Sequence, residues 1–201
     1  MKKFLFIVGI LVFLVSCRKE RESKVELPLS DEEIEKSLEY GRKNVSLTYT
    51  EFTEKWAVDL GYERGKGRAV IITPFLRVAL IGKKAAKYNE KVNYSLIKKV
   101  LLEESDKLYF EVMLYGDYPE FGRTVKARLK YDGREFFPVY LYFPHYSQMS
   151  RDYTQIATGR IKFLKDSIPD DAKITLIITF SPLKGKKETT CKFSFDLNKL
   201  R

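Results

Sequence analysis

The chain has 201 residues, 37 Lys and Arg against 27 Asp and Glu for a formal net charge of +10, and 44% hydrophobic residues. That is enough apolar material for one or two domains, each with a real core. Two cysteines are too few for a disulfide framework, one histidine excludes a multi-histidine metal site, and no cofactor motif is present.

Met1-Lys2-Lys3, an apolar run from Phe4 to Val15 and the small Ser16 have the layout of a secretory signal over residues 1–16. The run is shorter than the roughly 20 residues of a membrane span. Leu14-Val15-Ser16-Cys17 resembles the lipobox of bacterial prelipoproteins. The resemblance implies cleavage before Cys17, a diacylglyceryl thioether on its sulfur and acylation of the new amino group. The membrane would then be a partner through covalent lipid. Burial contributes about 0.8 kcal/mol per CH₂, so two or more chains anchor stably where one does not. Arg18 stands where, by the same resemblance, an Asp would retain the protein at the inner membrane. The expected location is therefore the cell envelope, at the outer membrane and facing the periplasm. Residues 17–29, with the stretch RKERESKVE over 18–26, read as a charged, solvated tether.

Residues 30–105 read as a helical region. Ser30 with Glu33 three positions on forms a capping box, followed by Ile34 and Leu38. A second helix is expected from Thr50, with Phe52, Trp56 and Leu60 at spacings of four and Gly61 as its stop. Arg68–Ile72 fits either a short buried strand or the entry to the next helix. Thr73-Pro74 opens a third helix running to about Asn89, and a fourth spans Ser95–Glu104.

From Leu108 the period becomes two, and residues 106–201 read as a β-sandwich-like domain. Strands are expected at Leu108–Leu114, Val125–Tyr131, Glu135–Phe143, Thr158–Leu164, Lys173–Phe180 and Thr189–Leu197. Asp132-Gly133 is a two-residue hairpin turn. Helices followed by strands, the latter an antiparallel sandwich, make the fold class α+β.

Candidate sites are few. Cys17 is the lipid-attachment residue. Tyr140, Tyr142, Tyr146 and Tyr153 with Arg151 form an aromatic group suited to a protein or glycan partner, because tyrosines offer rigid amphipathic area; the alternative is that their rings are buried in the ordinary way. Tyr115, Tyr118 and Phe121 belong to a second aromatic loop. Arg64, Lys66 and Arg68 surround a Gly-x-Gly that could bind an anion, or be a solvated loop, since a phosphate loop would need those glycines after a strand and before a helix. His145 would have to carry any triad, with Ser147 and Asp152 near it in sequence, but no nucleophile elbow accompanies it. Cys191 alternates with Phe193, Phe195 and Leu197 on one apolar face and reads as buried. The Lys- and Glu-rich balance resembles a thermophile's proteome, so the net charge reads first as a solubility feature.

With no catalytic motif, the expected function is a non-enzymatic, membrane-anchored binding or assembly factor whose partner is an envelope protein or glycan, not nucleic acid. A lipoprotein that binds glycan or anionic lipid is the first alternative. A glycan hydrolase working through carboxylates such as Asp117, Glu120, Asp152 or Asp170 is the second, and it requires two acids about 5–10 Å apart in one cleft.

Overall fold

The computed structural model describes residues 27–200 apart from Tyr153. The expected leader, Cys17 and the expected tether as far as Glu26 lie outside the described residues, as does Tyr153. The fold is α+β, with antiparallel strands in two sheets.

Helix α1 (Asp31–Lys43) begins as its capping box dictates: Ser30 Oγ accepts from Glu33 N, and the Glu33 carboxylate accepts from Ser30 N at 2.8 Å. The same device starts the short α2 (Tyr49–Phe52), where Thr48 and Glu51 cap each other. The expected long helix after Thr50 is not formed. The chain leaves α2 through a 3₁₀ turn at Glu54–Trp56 and becomes strand β1 (Ala57–Asp59), paired with β2 (Gly67–Ile71). Tertiary pairing overrides the helical spacing here, because Trp56 is held by an indole N–H donating to Leu200 O at 3.2 Å. β2 is buried along its whole length, which makes residues 68–71 strand, with Ile72 just past its end.

Helix α3 (Pro74–Tyr88) is capped by Thr73 and ends at Asn89 in the left-handed conformation. Helix α4 (Tyr94–Glu104) is capped by Asn93. α1 and α3 cross with almost no side chain between them. A Cβ on Gly41 would lie 2.1 Å from Ala79 O, and one on Gly82 would lie 2.6 Å from Leu38 O. Ile34, Leu38, Val78, Ile97 and Leu101 form a small core among α1, α3 and α4.

Strand β3 (Lys107–Gly116) pairs with β2 on one side and β8 (Gln155–Leu164) on the other. The first sheet has the order β1-β2-β3-β8-β6, with β6 at Tyr140–Tyr142, and β7 (Gln148–Met149) also pairs with β8. The second sheet has the order β10-β9-β4-β5, formed by Thr189–Asp196, Lys173–Phe180, Lys126–Tyr131 and Arg134–Phe136. β4 and β5 are joined through Asp132 and Gly133, both at positive φ, as a two-residue hairpin requires. The inner faces of the two sheets share one core. Phe110 of β3 meets Phe195 of β10 at 5.5 Å between ring centres, and Phe121 meets Phe180 at 5.9 Å.

The strand expected at Glu135–Phe143 is divided. After β5 the chain passes Phe137-Pro138 and rejoins the other sheet as β6, with Val139 N donating to Lys162 O at 2.8 Å. Pro138 has no N–H to donate to a continued ladder. Nor does a boundary at 105/106 separate two cores, because β2, from the expected helical region, pairs with β3 over five residues.

Candidate functional site

The outer face of the first sheet combines a polar cluster with an exposed aromatic edge. Register sets its rows: Tyr109 of β3 opposes Lys162 of β8, which opposes Tyr140 of β6, and Glu111 opposes Arg160, which opposes Tyr142. Helical residues reach the same face. Tyr49 of α2 donates its hydroxyl to Glu111 Oε2, and Tyr109 donates to Glu111 Oε1 at 3.2 Å. Arg160 Nε lies 3.9 Å from that carboxylate. Burial, reinforced by the Glu111 charge, pushes the Tyr109 phenol up to about 12, and the same causes raise Tyr49.

Glu104 at the end of α4 receives Arg77 Nη2 at 3.2 Å and Lys162 Nζ at 2.9 Å. Those two cations also pack on the Tyr109 ring, at 5.4 and 5.0 Å from its centre. Each carboxylate of the cluster therefore meets cationic or hydroxyl partners. The arrangement fixes α2, α3 and α4 to the sheet.

Beside this cluster the edge is open. Tyr140 is 44% exposed, Tyr142 51% and Tyr146 66%, and Phe137, Val139, Leu141 and Met149 are exposed around them. The backbone holds this strip close to β8: a Cβ on Gly159 would fall 2.5 Å from the Phe143 ring, so Phe143 lies directly on the strand. Of the aromatic residues expected together, Tyr140 and Tyr142 share the edge strand and Tyr146 lies on the loop after it. Arg151 is exposed beyond β7. Tyr115 and Phe121 are buried instead, with Tyr115 edge-on to Tyr62 at 5.7 Å.

The basic turn does not bring its three cations together. Arg64 and Lys66 are exposed, and Lys66 pairs with Glu63 at 2.7 Å. Arg68 is buried in β2 and donates to Thr53 Oγ1 at 2.9 Å and Thr50 O at 3.0 Å, a structural role that strand burial dictates. Around His145, which is exposed, Ser147 donates to Gln155 and Asp152 accepts from Ser150. Asp117 accepts the Lys184 N–H at 3.3 Å and Asp170 pairs with Lys165, at different turns. Cys191 is buried and burial pushes its thiol up to about 11, which suppresses the reactive thiolate.

Two concavities among the described residues bear on the site. One, of about 370 Å³, lies where the starts of α1 and α3 meet the end of α4 and the C-terminal turn. Its cations Arg77, Lys107 and Lys165 are matched by Glu33, Glu104 and Asp170. The other, about 470 Å³, is a shallow trough on the outer face of the second sheet. Tyr140, Tyr142 and Tyr146 line neither. Among the described residues no helix is long and apolar enough to cross a membrane. Compared with protein-family models, curated proteins and solved structures, the chain matches none.

Proposed function

We propose that this chain is a lipid-anchored protein of the cell envelope that acts as a non-enzymatic binding or assembly factor, tethered through Cys17 and presenting the edge around β6 to a protein partner. The observation that carries the reading is the exposure of Phe137, Val139, Tyr140, Leu141, Tyr142, Tyr146 and Met149 along one edge. Large apolar side chains gathered on a surface favour association, and tyrosines give contact area at low ordering cost. A sheet edge also offers backbone groups to an extended segment. The β6 strand has only three residues and lies between Pro138 and Pro144, which limits uncontrolled pairing with further copies. The anchor would hold the edge in a thin layer next to the membrane and raise its effective concentration for a neighbour.

A photoreactive residue in place of Met149 tests this in intact envelopes. The reading expects a discrete cross-linked adduct that disappears in the Tyr140→Ser, Tyr142→Ser double variant. Adducts that are absent, or unchanged in the double variant, contradict it. Because both tyrosines are exposed, the variant is expected to unfold within about 1 kcal/mol of the parent.

A further inference from the structure

The outer face of the second sheet carries an excess of positive charge. The outward residues of the second sheet follow from its register: Lys126, Thr179 and Thr190 make one row, Arg128, Ile177 and Lys192 the next, Lys130, Thr175 and Ser194 the third, and Lys173 with Asp196 the fourth. Alternate residues along a strand are about 6.7 Å apart and neighbouring strands about 4.8 Å apart, so these rows form a lattice of cations and hydroxyls. Thr175 and Ser194 are in contact at 3.1 Å, and Thr179 and Thr190 at 3.3 Å. Ile177 alone among these outward residues is buried; the others stand exposed or half-exposed, so no element among the described residues covers the face.

At one end the β9–β10 hairpin adds Lys184, Lys186 and Lys187, all exposed. Face and hairpin together hold eight cations against four carboxylates, those of Glu135, Glu188, Asp196 and Asp117, the last accepting the Lys184 N–H. Glu135 is engaged by Arg128 at 2.9 Å and Glu188 by Lys126 at 2.7 Å, whereas Lys130 and Lys192, on either side of the trough, make no ion pair among the described residues.

We infer that this face lies against the phosphate headgroups of an anionic bilayer, which deepens the membrane-tethered reading and rests on it. The face has no aromatic ring on which a nucleic-acid base could stack, and no exposed apolar side chain to insert between lipids. It is a broad, hydroxyl-bearing, positive surface, complementary to a plane of phosphates. A basic patch is also the second signal that turns a lipid chain into a stable anchor. Docked in this way, the sheet would turn the opposite layer, with its helices, toward the aqueous side.

Every element described lies within residues 27–200, so the chain from Arg18 to Arg201, made without leader or lipid, keeps the whole fold. Its co-sedimentation with vesicles containing about a third phosphatidylglycerol in phosphatidylcholine, against phosphatidylcholine alone, tests the face independently of lipidation. The expected result is binding to the anionic vesicles only, lost between about 0.05 and about 0.5 M salt, and weakened about thirtyfold by Lys130→Gln with Lys192→Gln. A Lys84→Gln, Lys99→Gln control, at exposed positions of α3 and α4 on the helical layer, is expected to bind like the parent. Equal binding to neutral vesicles, no loss in the double variant, an equal loss in the control, or tighter binding to duplex DNA at matched phosphate would each overturn the inference. Vesicle binding by the unlipidated chain together with an unmodified Cys17 in cells would uphold the surface and fault only the anchor.

Discussion

Lys83 sits on α3 but serves the end of α1: its ammonium donates to Asn44 O at 2.6 Å, Leu47 O at 2.7 Å and Val45 O at 2.9 Å, and stands 4.9 Å from the centre of the Phe52 ring. Helix-end carbonyls need such donors. Lys83→Met is therefore expected to lower stability by about 1–3 kcal/mol in thermal unfolding, with Lys84→Met, on the exposed side, nearly silent. Titration follows from other residues. Backbone and side-chain hydrogen bonds from Ser30 hold Glu33 below its ordinary value of 4.5, and those from Thr48 do the same for Glu51. A carboxylate lowered in the fold stabilises it above its unfolded value, so that contribution is lost as pH falls through and below about 4.5. Tyr109 is raised from 10.0 to about 12, so its contribution is present below pH 10 and lost as pH rises toward 12. Urea midpoints across pH should show both flanks, and Glu111→Gln should bring the Tyr109 titration, followed by phenolate absorbance, back toward 10.

Helix α1 meets α3 through bare backbone, so Gly41→Leu is expected to cost more than about 3 kcal/mol in urea unfolding or to push the two helices apart. At this scale the sequence was readable wherever the signal was local. The Ser30/Glu33 and Thr73-Pro74 starts and the Asp132-Gly133 turn are each specified by residues within four positions, and the structure places them there. The Thr48/Glu51 box carries the same signal, but the Phe52–Trp56–Leu60 spacing that follows it masks the start it sets. What that spacing could not reveal is that Ala57–Asp59 has a strand partner in β2, and that Trp56 has an acceptor at Leu200, a residue 144 positions away. The division of 135–143 was signalled by Pro138, yet the sheet the chain would rejoin depends on β8. The candidate site divides in the same way. Exposure of Tyr140 and Tyr142 is set by an edge position that no local pattern encodes, and the Tyr49–Glu111–Tyr109 cluster joins residues from α2 and β3. Arg68 looked like part of a basic turn because its neighbours are basic, but the pairing of β2 with β3 places it inside.

Three layers organise the whole molecule: helices, the β1-β2-β3-β8-β6 sheet, and the β10-β9-β4-β5 sheet with its charged outer face. Part of the net charge, which composition alone presents as a general solubility feature, lies on the last layer, while Phe137, Tyr140, Tyr142 and Tyr146 line an edge of the middle one. Phe110 ties the sheets together, touching both Phe163 and Phe195, and Phe110→Ala is expected to cost about 3–5 kcal/mol. Such a loss would be large against the roughly 5–15 kcal/mol typical of a domain. Separation of a charged face from an aromatic edge suits a body held at a bilayer, and the proposed covalent anchor depends on Cys17. Intact mass spectrometry of the protein extracted from its native membrane decides it. The account predicts a chain beginning at Cys17 and carrying a diacylglyceryl group with a further acyl chain; a chain with an unmodified cysteine at that position would contradict it.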